Sequence, residues 1–316
     1  MNLLRPAFMI LVLLVGVFLL VSLLALSATR QRIAQLEAER SLADTRHGKI
    51  EFISWGDGEA VLVIHGAGGG FDQGRLLAHA MAGDEFRFIS VSRFGYLGSA
   101  MPEYPSIQAQ AEAFDDLLDH LEIKRVSILA MSGGVPPALK FAELFPDRTN
   151  RMALLSSAPF TPFSPDVEGR PVPTWVYSAL LGNDISYWTL TKIARRQLEG
   201  AFDVRGDLRD NMSTDEKMFV DRLIDSFLPA SKRLAGVNNE GAAVDPAAHF
   251  DLESIGAPVL VVHARDDRLN PFEVGQMIGG RVSGARLHSL ETGGHLLLGH
   301  HEELRGKVIS FLWRPE

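Results

Sequence analysis

Residues 128–140 read ILAMSGGVPPALK: an apolar run of strand formers ends at Met131, Ser132 follows, and two glycines lead into a segment of helical character. A sharp strand-to-helix corner lifts a serine hydroxyl clear of a sheet edge, provided that small residues two before and two after it let strand and helix approach. Gly134 meets the second requirement, and Ala130 stands at the first, adding one methyl group. A lone Ser-Gly-Gly is an ordinary loop, so the reading turns on what surrounds it.

Outward from this corner, strand-like and helix-like runs alternate. KIEFISW and AVLVIHG, joined by a Gly56-Asp57-Gly58 turn signal, predict a hairpin. A helix near residues 75–81, the strand FRFISVS, a helix over 106–121, the strand ending at Ser132, a helix over 135–145 and the strands RMALLSS, PVLVVHA and ARLHSLE follow. Continuous apolar strands separated by helices predict an α/β fold, with a mostly parallel sheet covered on both faces. Between Ala158 and Asp251 the alternation stops: YWTLTKIARRQL and KMFVDRLIDSFL read as helices with apolar stripes. The expected layout is a core of residues 49–158 and 251–316 with a helical cap over 159–250.

Ligands bind an open parallel sheet at the carboxyl ends of its strands, where Ser132 is expected. A serine hydroxyl needs a base to take its proton, and the base needs a carboxylate to fix its tautomer. VLVVHARDDRLNP puts Asp266 and Asp267 just past one strand, and SLETGGHLLLGH puts His295 just past the next. The order Ser132, Asp267, His295 is the one this kind of sheet uses. The glycine-rich turn in VLVIHGAGGGFDQG, with Gly133, offers backbone N–H groups for an oxyanion.

His65-Gly66 with its following glycines, SRFGYLGSAMPE, the Ser132 corner, DDRLNP and GGH together resemble the α/β-hydrolase superfamily, in its cap-bearing branch of esterases, lactonases, perhydrolases and carbon-carbon bond hydrolases. The likeness runs from about Lys49 to the end. It implies Ser132 as nucleophile, His295 as general base and Asp267, which directly precedes an arginine, as the acid; the oxyanion donors would be Ala67 or Gly68 together with Gly133. It also implies hydrolysis of a carboxylic ester or related acyl bond without a cofactor. Apolar cap residues, Trp175, Tyr177 and Trp188 foremost, with Phe219 and Phe227, are expected to line a pocket for a small hydrophobic substrate.

Other classes fit less well. A dinucleotide site would need a sixth-position glycine where Phe71 stands, counting from Gly66. His288, His295, His300 and His301 show no zinc-binding helix motif, so no metal is expected. A net charge of −8 without a basic stripe argues against nucleic acid, and the absence of cysteine removes disulfides and thiolate chemistry. A non-catalytic, membrane-tethered binding protein on the same scaffold stays open, because a fold alone never proves activity.

The N-terminus differs in kind. No charged residue occurs from Ala7 to Ala28, a run long enough to cross a bilayer as a helix and longer than the core of a secretory signal, which favours a single-pass membrane anchor over 7–28, with a cleaved signal peptide as the rival reading because Ala25 and Ser27 suit a small-residue cleavage site. Arg5 precedes the span and Arg30, Arg32, Arg40 and Arg46 follow it, so charge leaves its orientation open. Residues 29–48 combine good helix formers with mixed charge and predict a helical stalk.

Overall fold

The computed structural model describes residues 4–161 and 182–313. Eight strands form one sheet: β1 (Ser41–Thr45), β2 (Gly48–Trp55), β3 (Ala60–Ile64), β4 (Arg87–Ser92), β5 (Val126–Met131), β6 (Thr149–Leu155), β7 (Val259–Ala264) and β8 (Arg286–Leu290), in the order β1-β2-β4-β3-β5-β6-β7-β8. At one edge the pairings of β1 with β2 and of β2 with β4 are antiparallel; every other pairing, including β7 with β8 at the opposite edge, is parallel. Strands β5 and β7 are buried along their whole length, which is why they read as unbroken apolar runs.

Helix α1 (Leu4–Glu39) precedes the sheet, and α2 (Phe71–Ala82), α3 (Ile107–His120) and α4 (Val135–Leu144) alternate with the central strands. Between β6 and β7, where the cap was expected, lie α5 (Asp184–Ile193), α6 (Arg195–Gly200), α7 (Gly206–Asn211), α8 (Thr214–Ser226) and α9 (Leu234–Asn238); α10 (Phe272–Arg281) and α11 (His301–Leu312) close the core. Apolar clusters fill both faces of the sheet, and one of them continues from Val61 and Leu129 into cap residues Tyr187, Phe219 and Phe227. The helices between β6 and β7 therefore share a core with the sheet body.

Two expectations are corrected. KIEFISW and AVLVIHG do not form a hairpin, because β4 inserts between them and pairs with both. β2 turns back instead on β1, through Arg46 and His47, where the stalk was expected to be helical. The helix stops at Glu39, and Leu42 and Asp44 then alternate with the buried Ala43 in the way an edge strand requires. The segment before it is docked as well: Leu36 packs with Ile53 and Phe71, and Arg40 lies 3.3 Å from Glu51.

Candidate active site

β5 delivers its chain to Ser132 in extended conformation, and Ser132 itself turns to φ 53° before the helical turn Ser132–Gly134 runs into α4. A positive φ at a serine costs about 1–3 kcal/mol and persists only where the surroundings over-determine it. Here they do. A side chain at position 134 would strike the carbonyl of Ile64 in β3, so only glycine allows β3 and α4 this close. The methyl of Ala130, between Ile64 and Leu154 in register, is fully buried in the core.

The acid and histidine come from the loops after β7 and β8. Asp267 Oδ1 accepts the N–H groups of Leu269 (2.8 Å) and Asn270 (2.9 Å), which leaves Oδ2 directed at His295 Nδ1 at 3.0 Å. His263 Nε2 lies 3.3 Å from the same oxygen. Burial by itself would raise the Asp267 carboxyl, but the charge of His295 and the hydrogen bonds from His263, His295 and the Asn270 backbone outweigh it and hold the carboxylate well below its ordinary range. Burial would favour neutral His295, yet the charge and hydrogen bond of Asp267, with Asp203 behind them, raise it above the ordinary imidazole value. Asp266 faces elsewhere: it accepts from the Gly294 N–H at 2.9 Å and pairs with Arg205.

Ser132 and His295 line one cavity of about 650 Å³. The Ser132 hydroxyl oxygen accepts a hydrogen bond from Asn270 Nδ2 at 3.3 Å, and the same amide donates to Ser156 O at 2.7 Å. A donor on the oxygen leaves the hydroxyl proton free for a base.

The glycine turn after β3 is held from several sides. His65 Nδ1 donates to Gly66 O at 2.6 Å and Nε2 accepts the Arg93 N–H at 3.0 Å, a neutral tautomer consistent with burial and then Arg93 pushing its imidazolium form well below the usual range. Gly68 sits at φ 76° with its α-carbon against the Phe227 ring, which no other residue would permit. Its N–H donates to Tyr96 Oη at 3.2 Å. Of the two donors expected in this turn, Gly68 is therefore engaged within the protein, and Ala67 lines the cavity without that tie.

The cap grips these loops through charged residues that sequence reasoning did not find. Asp203, at φ 63°, accepts the backbone N–H groups of His295 (3.1 Å) and Arg268 (3.2 Å). Arg205 bridges Asp203 to Asp266. Fully buried Arg233 donates to Gly69 O at 2.5 Å and pairs with Asp72 at 2.9 Å, while Arg32 of α1 reaches the same Asp72 oxygen at 2.5 Å. Glu240 pairs with Arg93 at 2.5 Å and accepts from Tyr96 Oη. Burial, then Glu240, push the Tyr96 phenol well above its ordinary value, so it stays protonated as that donor.

Of the expected pocket residues, Trp175 and Tyr177 lie outside the described residues, whereas Phe219 and Phe227 line the cavity. Trp188 is not among the described residues that line the cavity: it is half-buried on α5 and packs against the apolar cluster of Tyr187 and Phe227, with Lys192 Nζ 5.6 Å from its ring centroid. Among the histidines, His301 Nε2 contacts Leu296 O at 2.8 Å and His288 lies beside Lys307, each held apart from His295 by its own partners.

Residues 59–302 match the family model described as alpha/beta hydrolase fold. The chain belongs to the alpha/beta hydrolase family. An uncharacterized hydrolase, YcgS, of Bacillus subtilis is 25% identical over 277 residues, covering 83% of this chain and 94% of that protein. A 2-hydroxy-6-oxononadienedioate/2-hydroxy-6-oxononatrienedioate hydrolase of Paraburkholderia xenovorans is 26% identical over 264 residues, covering 80% of this hydrolase and 86% of its relative. The crystal structure of carboxylesterase CesB (YbfK) from Bacillus subtilis superposes with a TM-score of 0.63 at 22% identity, covering 93% of the hydrolase and 98% of that chain, a likeness of fold.

Proposed function

We propose that the protein is a serine hydrolase of carboxylic esters with small to medium apolar acyl groups. The observation that carries this reading is the convergence on one cavity of a serine held at positive φ and a buried histidine paired at 3.0 Å with a carboxylate. In this reading the Ser132 hydroxyl proton passes to His295 as Oγ bonds to the acyl carbon, and the Ala67 and Gly133 N–H groups receive the oxyanion. Collapse breaks the bond to the alcohol, which takes the proton from His295. Water, deprotonated by the same histidine, then releases the acid.

Carbon-carbon bond hydrolysis of the kind named for the Paraburkholderia relative is the second reading. Charge favours the ester. The described residues that line the cavity include no lysine or arginine, and the one carboxylate among them, Glu240, is already paired with Arg93. A dioate entering it would meet no lysine or arginine among these described residues, and a desolvated, unpaired carboxylate is costly. A neutral acyl group fits the Phe202, Phe219, Leu223 and Phe227 walls.

Labelling with a fluorophosphonate probe, followed by a panel of esters, lactones and dienoic ketoacids, tests the proposal. Ser132→Ala is expected to abolish labelling and to lower ester turnover by about 10³-fold or more. Turnover above a tenth of wild type would overturn the nucleophile, and a wild-type protein that the probe leaves unlabelled would favour a non-catalytic binding role.

We further read α1 as a retained membrane anchor. Its apolar stretch has a mean hydropathy of 3.2 and stands exposed instead of packed in a core, and its distal turns are fixed to the body by Arg32 and Leu36.

A further inference from the structure

The contact stripe of α1 begins inside its apolar run. From Val21 onward the buried or half-buried positions are Val21, Ser22, Ala25, Ala28, Thr29, Arg32, Ile33 and Leu36, with Arg40 just past the helix end, and they recur every three or four residues as one helix face requires. Five of these nine precede Arg30, the first charge after the run. Along this stripe Arg32 and Leu36 meet α2 and β2, and α1 also packs against α5 of the cap, with Ala28 joining the apolar cluster of Tyr187.

The geometry restricts where the body can stand. The run 7–28 is about 33 Å long as a helix, close to the roughly 30 Å of a hydrocarbon core. Ser22 lies only about 9 Å before its end. A body fixed to α1 from Ser22 onward is not held off the bilayer on a stalk; the cap side that flanks this turn meets the lipid surface. The exposed residues at this end of the cap suit that position: Lys192 and Ile193 close α5 and Arg196 opens α6, with Ile193 exposed to 77%, while half-buried Trp188 beneath Lys192 packs toward the apolar cluster. An apolar side chain flanked by basic residues suits a membrane interface, where the ammonium and guanidinium reach the headgroups. On the inner side of the same helix, Tyr187 stacks on Phe227 at 6.0 Å between centroids, and Phe227 lines the cavity. One layer of side chains separates the lipid-facing helix from the apolar site.

We propose that α5 rests on the membrane surface and that the cavity takes its substrate from the bilayer, as the acyl ester of a neutral, membrane-partitioned lipid. This rests on reading α1 as a span and Ser132 as the nucleophile, and it adds the source and class of the substrate.

The chain has no cysteine, so single labels are unambiguous. Full-length protein carrying Ile193→Cys or Tyr104→Cys, labelled with a fluorophore, is reconstituted into vesicles that contain a lipid-borne quencher. Tyr104 is as exposed, at 78%, and lies with Arg46 near the β1–β2 turn, past the distal end of α1. Strong quenching at 193 with little at 104 supports the proposal; equal quenching at both, or none at 193, overturns it. Ile193→Glu, which alters an exposed side chain only, should lower turnover of a long-chain acyl ester embedded in vesicles by about tenfold and leave a short water-soluble ester unchanged. Equal loss on both esters, or loss on neither, overturns the substrate source. A wild-type protein that is quenched at 193 but hydrolyses neither ester would retain the membrane-facing surface and sink the esterase reading, which keeps the two failures apart.

Discussion

Asp266 and Asp267 are neighbours that do opposite work: one is tied to Arg205 and the Gly294 N–H, the other to His295. Asp267→Asn should lower kcat/KM by about 10³- to 10⁴-fold, since an amide at that place favours the wrong imidazole tautomer. Asp266→Asn should cost far less. The pH profile separates them further. His295 must be neutral to accept a proton, and its pairing with Asp267 raises its pKa, so the acid limb of kcat/KM should have its midpoint above the ordinary 6.5 of imidazole. Asp267→Asn removes the charge that holds the proton, and the limb should move to lower pH; a limb that stays in place would separate Asp267 from the base. The pairing of His295 with Asp267 and not with Asp266 was legible because it rests on adjacency to Arg268 in DDRLNP. Asn270, three letters after Asp267 in the same motif, was legible as a residue but not as a partner of Ser132, since its amide crosses 138 residues to reach that hydroxyl.

At the scale of elements, the strands and helices around Ser132 follow from composition: β5 and β7 are apolar throughout, and Ser106 caps α3 by accepting the Ala109 N–H. The β2–β3 hairpin failed because a turn signal fixes where a chain bends and leaves open which strand it then pairs with; β4 takes that place through contacts that no local pattern encodes. The stalk failed at residue 41 for a related reason, since good helix formers were outweighed by sheet pairing with β2. Helix α1 carries the corresponding prediction. Removing residues 1–28 leaves Arg32, Leu36 and Arg40 in place and should give a detergent-independent protein with similar activity on water-soluble esters. Removing 1–40 uncovers Phe71 and Ile53 and takes Arg32 from Asp72, and should cost about 2–4 kcal/mol in chemical denaturation. Equal stability of the two truncations would show that the docked part of α1 is idle.

Across the whole molecule, the helices between β6 and β7 hold the loops of the candidate site at three separate places: Asp203 with Arg205 at the loops of Asp267 and His295, Arg233 at the glycine turn and Glu240 at Tyr96. None of these was legible, because each joins residues 61 to 164 positions apart and has no spacing to betray it. Arg233→Met should destabilise the protein by about 3–5 kcal/mol, because Asp72 and the Gly69 carbonyl lose a buried partner; a shift of under 1 kcal/mol in the denaturation free energy would assign the grip elsewhere. The grips have a consequence in time. The amide hydrogens of Arg268 and His295 end on a cap carboxylate, and that of Gly68 ends on a tyrosine which another cap carboxylate holds. If lifting the cap is what exposes them, amides on three loops of the core should share one opening free energy in native-state hydrogen exchange, and an acyl adduct at Ser132 should slow all three together.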